Sequence, residues 1–330
     1  MLSDEEPTEK VEKKVSERDL RRARPASFRF EQNIACWSSY YGHFLRKRLY
    51  DGMVTAPVLS SVDLVNAGKG FKFDEATLNR FVPPLPLPKS MYDRFIALWI
   101  QDSRVERLMH ESAQAARELA LTFYPQVYWN APPNDAYHVT VFHFSQYEEH
   151  FALPMSTEST NTLVSLGDLP TGEDCEMMES QKVFAAHTKF KLVAHDVVLT
   201  KTGNVLVLWH AKQGNVDALR AAFKARFPNT PVGQTERIMH STLVRFVLPE
   251  GQTHLSVLTE DQKAAFQTGL REIGEQIIGT EVEIDNLMYS GCHMYYDCSR
   301  FRHEIPYDAS KVGRRLHADD ILVKKAAERG

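Results

Sequence analysis

Two short segments of this chain carry the residue types of proton-transfer chemistry at matched spacing: His138-Val-Thr140-Val141 and His240-Ser-Thr242-Leu243. Both lie in runs rich in Val, Thr and aromatics, Tyr137 to Phe144 and Ile238 to Phe246, which read as strands. Side chains on a strand alternate sides, so each histidine shares a face with the threonine two residues on. Two such strands set across one cleft would aim two imidazoles and two hydroxyls at a common point. That set suits displacement at phosphorus. One imidazole takes the proton of the attacking oxygen, the other supplies a proton to the leaving oxygen, and the hydroxyls donate to the phosphate oxygens. The scheme needs neither a metal nor an organic cofactor.

The pattern alone is short. His254-Leu-Ser256-Val257 also fits it, and His110-Glu-Ser112-Ala113 nearly does. Context separates them, because His110 lies inside a helical pattern and His254 in the turn before Thr259. Only His138 and His240 fall on strands, use threonine and occupy equivalent places in an internal repeat.

That repeat is the main organising feature. Arg94 to Ile100 is an apolar strand ending in Leu-Trp, and Ser103 to Glu106 has capping-box form. Val105, Leu108, Met109, Ala116, Leu119 and Ala120 then give one helical face, stopped by Pro125. A strand candidate at Gln126 to Trp129 and a Pro-Pro turn lead into the first motif. The order returns about a hundred residues on. Asn204 to His210 ends again in Leu-Trp before the final His, Asn215 can cap a helix with Val216, Leu219, Phe223 and Phe227 on one face, and the second motif follows. Trp209 follows Trp99 by 110 residues and His240 follows His138 by 102. A capping box at Thr259 to Gln262 opens one more helix, which Gly279 closes, and Glu281 to Tyr296 reads as a hairpin or bent strand.

The remaining boundaries follow from composition. Residues 1–25 form a charged leader, expected to be disordered, and 26–89 an N-terminal extension packing on the core and ending in the stiff run Pro83 to Pro88. Residues 90–299 hold the two-lobed domain, with an insertion from Glu148 to Ser180, and 300–330 form a charged tail with a short helix around Asp320 to Glu328. Lys and Arg number 39 against 43 Asp and Glu, a net charge of −4, which speaks against a protein that coats long duplex nucleic acid and leaves room for a short nucleotide. The longest uncharged stretch, Leu119 to Asn134, contains three prolines and cannot span a membrane. Four scattered cysteines and a mixed-charge N-terminus point to a reduced compartment, cytoplasmic or nuclear, and the expected state is a monomer. Cys292-His293, Cys298 and His303 do not have the spacing of a standard zinc site.

With these motifs the chain resembles the 2H phosphoesterase superfamily, which is named for paired His-x-Ser/Thr motifs and includes 2′-5′ RNA ligase-like proteins and cyclic nucleotide phosphodiesterases. The resemblance covers roughly Ser90 to Ser299 and rests on His138-Val-Thr140 and His240-Ser-Thr242, the second extended by Arg245. It implies an α+β, bilobal fold with pseudo-two-fold duplicated antiparallel sheets facing a central cleft and helices outside. It also implies metal-independent cleavage of a 2′,3′-cyclic phosphate or 2′-5′ linkage in a nucleotide or short RNA 3′ end. His138 and His240 would be the acid–base pair, with the order open, and Thr140 and Thr242 the phosphate-binding hydroxyls. Arg245, Tyr137 and Phe246 are candidate substrate contacts. Strict alternation puts Phe142 and Phe246 on the histidine face and Arg245 opposite. Trp99 and Trp209 read as core residues. A non-catalytic nucleotide- or RNA-binding module and a 3′-end RNA-trimming nuclease are the alternatives.

Overall fold

The computed structural model describes residues 58–73, 80–85, 93–145, 172–227, 238–252, 254–292 and 301–317. The charged leader, most of the Glu148–Ser180 segment and the helix expected near residue 320 lie outside them. The helices are α1 (Ser61–Gly68), α2 (Ser103–Phe123), α3 (Gly172–Ala185), α4 (Val216–Arg226) and α5 (Glu260–Ile277). The strands are β1 (Asp93–Trp99), β2 (Tyr128–Asn130), β3 (His138–Ser145), β4 (Phe190–Leu199), β5 (Asn204–Gln213), β6 (Met239–Val247), β7 (Glu281–Ile284), β8 (Asn286–Cys292), β9 (Phe301–Pro306) and β10 (Arg315–His317). They form two five-stranded antiparallel sheets, ordered β10-β9-β8-β1-β3 and β2-β6-β5-β4-β7. Among the described residues no helix is long and apolar enough to cross a membrane.

The duplicated unit is visible in this order. β1–α2–β3 and β5–α4–β6 each pair two antiparallel strands around an intervening helix, and β8 and β4 flank β1 and β5 in the same way. Local signals set the helix ends. Asn215 Oδ1 accepts from Ala218 N at 3.0 Å at the start of α4, and the Thr259–Gln262 capping box closes at the start of α5. At α2 the expected cap shifts by one residue. Asp102, not Ser103, holds the free amides of Arg104 and Val105, at 2.9 and 3.1 Å, because a carboxylate at the positive helix end does the work of a hydroxyl.

Of the hairpin and bent-strand alternatives, Glu281 to Cys292 is a bent strand: β7 pairs with β4 in the second sheet and β8 with β1 in the first, so the chain crosses between sheets near Asp285. Two other readings change. Residues 301–306 and 315–317 are strands of the first sheet rather than a charged tail, because Arg302 and His303 are buried inside it and the charges do not mark solvent. α3 overlaps the expected insertion. Its buried face includes Glu176, which pairs with Arg94 at 3.1 Å and accepts from Tyr289 Oη at 2.5 Å, so no apolar stripe announces it.

One continuous core joins the faces of both sheets that turn away from the motif residues to α2, α4 and α5. At its centre Phe142 stacks on Phe223 with centroids 5.5 Å apart, and Phe144 meets Phe227 edge-on at 4.9 Å. α1 lies against β6 and adds Leu64 to this core, with Leu248 N donating to Leu64 O at 3.1 Å. The chain at Arg80 to Val82 covers edge strand β2: Val82 N donates to Trp129 O at 2.9 Å and Trp129 N to Arg80 O at 3.0 Å. Phe223 of α4 is fully buried against Phe142 of the first sheet and Phe227 at its own helix end, within the core that both sheets share. Phe223→Ala is expected to cost about 3–5 kcal/mol, read as a lowered urea midpoint; an unchanged midpoint would show that the lobes do not share this core.

Candidate active site

The motif strands meet where the two sheets abut. β3 is the edge of the first sheet and lies against β6 of the second. The contact is polar. Ser241, between the second motif's histidine and threonine, donates its hydroxyl to the His138 carbonyl at 2.7 Å and accepts from Trp209 Nε1 at 3.0 Å. A core tryptophan of one lobe thereby fixes the backbone of the motif histidine in the other.

Both motif strands carry a β-bulge at the same place. Ala97 pairs with Thr140 but Ile96 with Phe142, so Val141 is an inserted residue. Leu206 pairs with Thr242 but Val205 with Val244, so Leu243 is inserted in the same way. An extra residue reverses the alternation beyond it. His143 therefore joins His138 and Thr140, and Arg245 joins His240 and Thr242. The two faces carry equivalent triplets, His-x-Thr-x-x-His and His-x-Thr-x-x-Arg. Side-chain contacts agree: Phe95 touches the rings of His138 and His143 at centroid distances of 5.2 and 5.8 Å. Arg245 donates to Asn204 Oδ1 at 2.9 Å and reaches Thr242 Oγ1 at 3.5 Å.

The bulges also correct the aromatic assignments. Phe142 and Phe246 turn into the core and do not line the cleft. Tyr137 is buried at 1% exposure, its hydroxyl without a hydrogen-bond partner among the described residues, and burial pushes its ionisation well above the usual range. Tyr137 and Phe246 are packing residues. Trp209 and Trp99 are both buried as read, Trp209 in the main core and Trp99 in a second cluster with Phe95 and Ala97 on the His138 side of the first sheet, where it donates to the Asp135 carbonyl at 2.9 Å. His110 bonds Gln114 on α2, and His254 lies in the loop before α5, both away from the motifs.

Residues outside the motifs complete the charge distribution. Arg220 of α4 donates to the Thr140 carbonyl at 2.9 Å, at the bulge where the ladder is interrupted. Arg302 of β9, 1% exposed, pairs with Asp135 in the turn before β3. The His138 imidazole is pushed down to about 4, first by burial and then by the charges of Arg245, His143 and Arg302, with the Ala136 carbonyl opposing. His240 is likewise held at about 4 by burial, Arg245, His138 and Arg220, with the Ile238 carbonyl opposing. Each histidine of the motif pair thus lies in the field of Arg245, and His240 feels His138 directly. No carboxylate is among the causes. Among the described residues, no group of three His, Cys, Asp or Glu side chains converges in a way that could hold a metal ion.

The fold and site define an α+β protein of two abutting antiparallel sheets joined at paired His-x-Thr strands. No family model matches the chain, and no curated protein matches it in sequence. Among solved structures it is similar to Usb1 of Kluyveromyces marxianus, determined with uridine monophosphate, at 10% identity and a TM-score of 0.32, over 66% of this chain and 100% of that one.

The neutral imidazoles carry a consequence for stability. In the unfolded chain a histidine titrates near 6.5, whereas the folded values are about 4 for His138 and His240 and about 3 for His195, which burial and His210 depress. Between those limits the unfolded state binds more protons, so acid favours unfolding. The contribution is intact above pH 6.5 and is lost progressively as pH falls toward 4. Thermal melts over that range are expected to show a falling Tm, with a shallower slope in His138→Asn; an identical slope in both proteins would contradict the depressed value.

Proposed function

We propose that this protein is a two-histidine phosphodiesterase acting on a nucleotide or RNA-end phosphodiester, a 2′,3′-cyclic phosphate or a 2′-5′ linkage. The observation that carries this reading is the convergence of two His-x-Thr strands on a junction where Arg245 acts on both imidazoles and every charge shifting them is positive. Such a place favours an anion with one negative charge at its centre. A phosphodiester supplies that charge and opposes the depression of both imidazoles, bringing them toward neutral pH, where one can accept and the other donate a proton. Thr140 and Thr242 lie on the same faces to donate to the non-bridging oxygens, and Arg245 neutralises charge that builds in the transition state. The shared neighbourhood of the two rings makes an in-line displacement feasible without a covalent enzyme intermediate.

His138→Ala and His240→Ala are each expected to lower kcat on a 2′,3′-cyclic nucleotide or a 2′-5′-linked dinucleotide by about a hundredfold or more. The assay is product formation by chromatography, with binding titrated alongside. Retained turnover in either variant overturns the assignment, and wild-type binding without conversion of any such substrate identifies a non-catalytic clamp.

The same electrostatics predict proton uptake on binding. Affinity for a slowly cleaved phosphodiester analogue, whose own charge is constant from pH 8 to 6, should rise as pH falls across that range. Calorimetry in buffers of different ionisation enthalpy measures the uptake, and pH-independent affinity would contradict an anion seated between the imidazoles.

A further inference from the structure

The turn that precedes β3 is held more firmly than a surface turn requires. Its Asp135 side chain receives Arg302 Nη1 at 2.5 Å, and its backbone carbonyl receives Trp99 Nε1 at 2.9 Å. Ala136 N closes the turn onto Pro133 O at 3.0 Å, and Ile100 N donates to Tyr137 O at 3.0 Å. The bonds to Asp135 and Tyr137 come from β9 and from the end of β1, at Trp99 and the adjoining Ile100, so two separate stretches of the chain hold the residues on either side of Ala136. Between them sits the Ala136 carbonyl, which lies 2.7 Å from His138 Nδ1. A carbonyl only accepts, so Nδ1 must carry the proton whenever this bond is made. Neutral His138 then has Nε2 as its one acceptor.

We infer that Asp135, clamped by the buried Arg302, is a positioning residue that fixes the proton of neutral His138 on Nδ1 and so presents Nε2 as a proton acceptor. The physical reason lies in the near balance of the two neutral tautomers of a free imidazole. One well-placed carbonyl decides between them, and the carbonyl must be held in place to do so. Arg302 is suited to the holding role. Its guanidinium is 1% exposed and bonds Asp135 from beneath the turn, so the carboxylate cannot leave without stranding a buried charge. The second motif is built differently. His240 Nδ1 is buried and closes no hydrogen bond among the described residues, although the Ile238 carbonyl lies near the ring. The Ile238 carbonyl stands two residues before His240 as Ala136 stands before His138, but the 2.7 Å bond to Nδ1 and the clamped turn behind it belong to His138.

The inference rests on the two-histidine reading for its consequence in rate but not for its structural content. The test is the long-range proton–nitrogen NMR spectrum of the imidazoles in the full chain above pH 6.5, with His138 identified by its loss in His138→Gln. Wild-type protein should show His138 as a single tautomer protonated on Nδ1. The variant Asp135→Ala with Arg302→Met removes both charges together, so no guanidinium is left buried alone, and should show the two tautomers in exchange. On a 2′-5′-linked dinucleotide it should lose roughly ten- to a hundredfold in kcat with little change in KM. Asp135→Asn keeps an acceptor for Arg302 and should restore most of both signals. A wild-type His138 protonated on Nε2 overturns the inference, as does a double variant that keeps an unmixed Nδ1 tautomer; if the double variant does not fold, an Asn variant whose kcat falls while its Nδ1 tautomer stays unmixed overturns it. An inactive wild-type protein with the expected tautomer would remove the proposed reaction and leave the clamp standing.

Discussion

The structure depends on one inserted residue after each motif threonine. A strand presents alternate side chains to alternate faces, so the residues beyond Thr140 and Thr242 would fall on the wrong sides if alternation continued. Phe142 and Phe246 would face the motif residues, and His143 and Arg245 would enter the core. Withdrawing a phenylalanine from the core forfeits about 1.5–3 kcal/mol, and a guanidinium buried without a partner costs several more. The bulges at Val141 and Leu243 remove both penalties at once. They place aromatic rings against α4 and leave a permanent cation beside the second histidine. Packing and the electrostatics of the site are therefore set by the same local irregularity.

Much of this was written in the chain. The apolar strands, the caps at Asn215 and Thr259 and the duplicated Leu-Trp and His-x-Thr order all correspond to elements that the structure contains. The phase of the bulges was legible too, although strict alternation passes over it. In both motifs polar residues stand at positions one, three and six, His138, Thr140, His143 and His240, Thr242, Arg245, with two consecutive apolar residues between the last two. Two adjacent apolar side chains on a half-buried strand mark a change of phase. That signal turns Phe142 and Phe246 inward and brings Arg245 to the histidines.

Other features had no local signature. Arg302 reads as one more charge near the end of the chain, and only the pairing of β9 with β8 buries it beneath the turn before β3. Arg220 belongs to the polar side of an amphipathic helix until α4 packs on β3 and its guanidinium meets the Thr140 carbonyl. α3 docks through Phe184 near its end and through the buried Glu176, whose ion pair with Arg94 and bond from Tyr289 interrupt what would otherwise be an apolar stripe. Each of these residues acquires its role from a contact with a distant part of the sequence. Residue type and spacing cannot supply that information.

The pseudo-symmetry of the two motifs is broken at their middle residue. Ser241 and Val139 are the middle residues of equivalent triplets, yet Val139 is buried in the core while Ser241 bridges the lobes from Trp209 to the His138 carbonyl. A symmetric pair of valines would leave the lobes joined at this point by apolar contact alone, which tolerates sliding because it has no direction. A hydroxyl that both donates and accepts does not slide without breaking a buried bond. The separation of the two imidazoles is thereby tied to a directional contact between the residue after His240 and the carbonyl of His138 itself. An arrangement held in this way supports chemistry that depends on fixed donors and acceptors, since the reorganisation that a mobile cleft would require at each turnover has already been met in folding. The cost of that order falls on the folded state, which keeps two imidazoles neutral among cations.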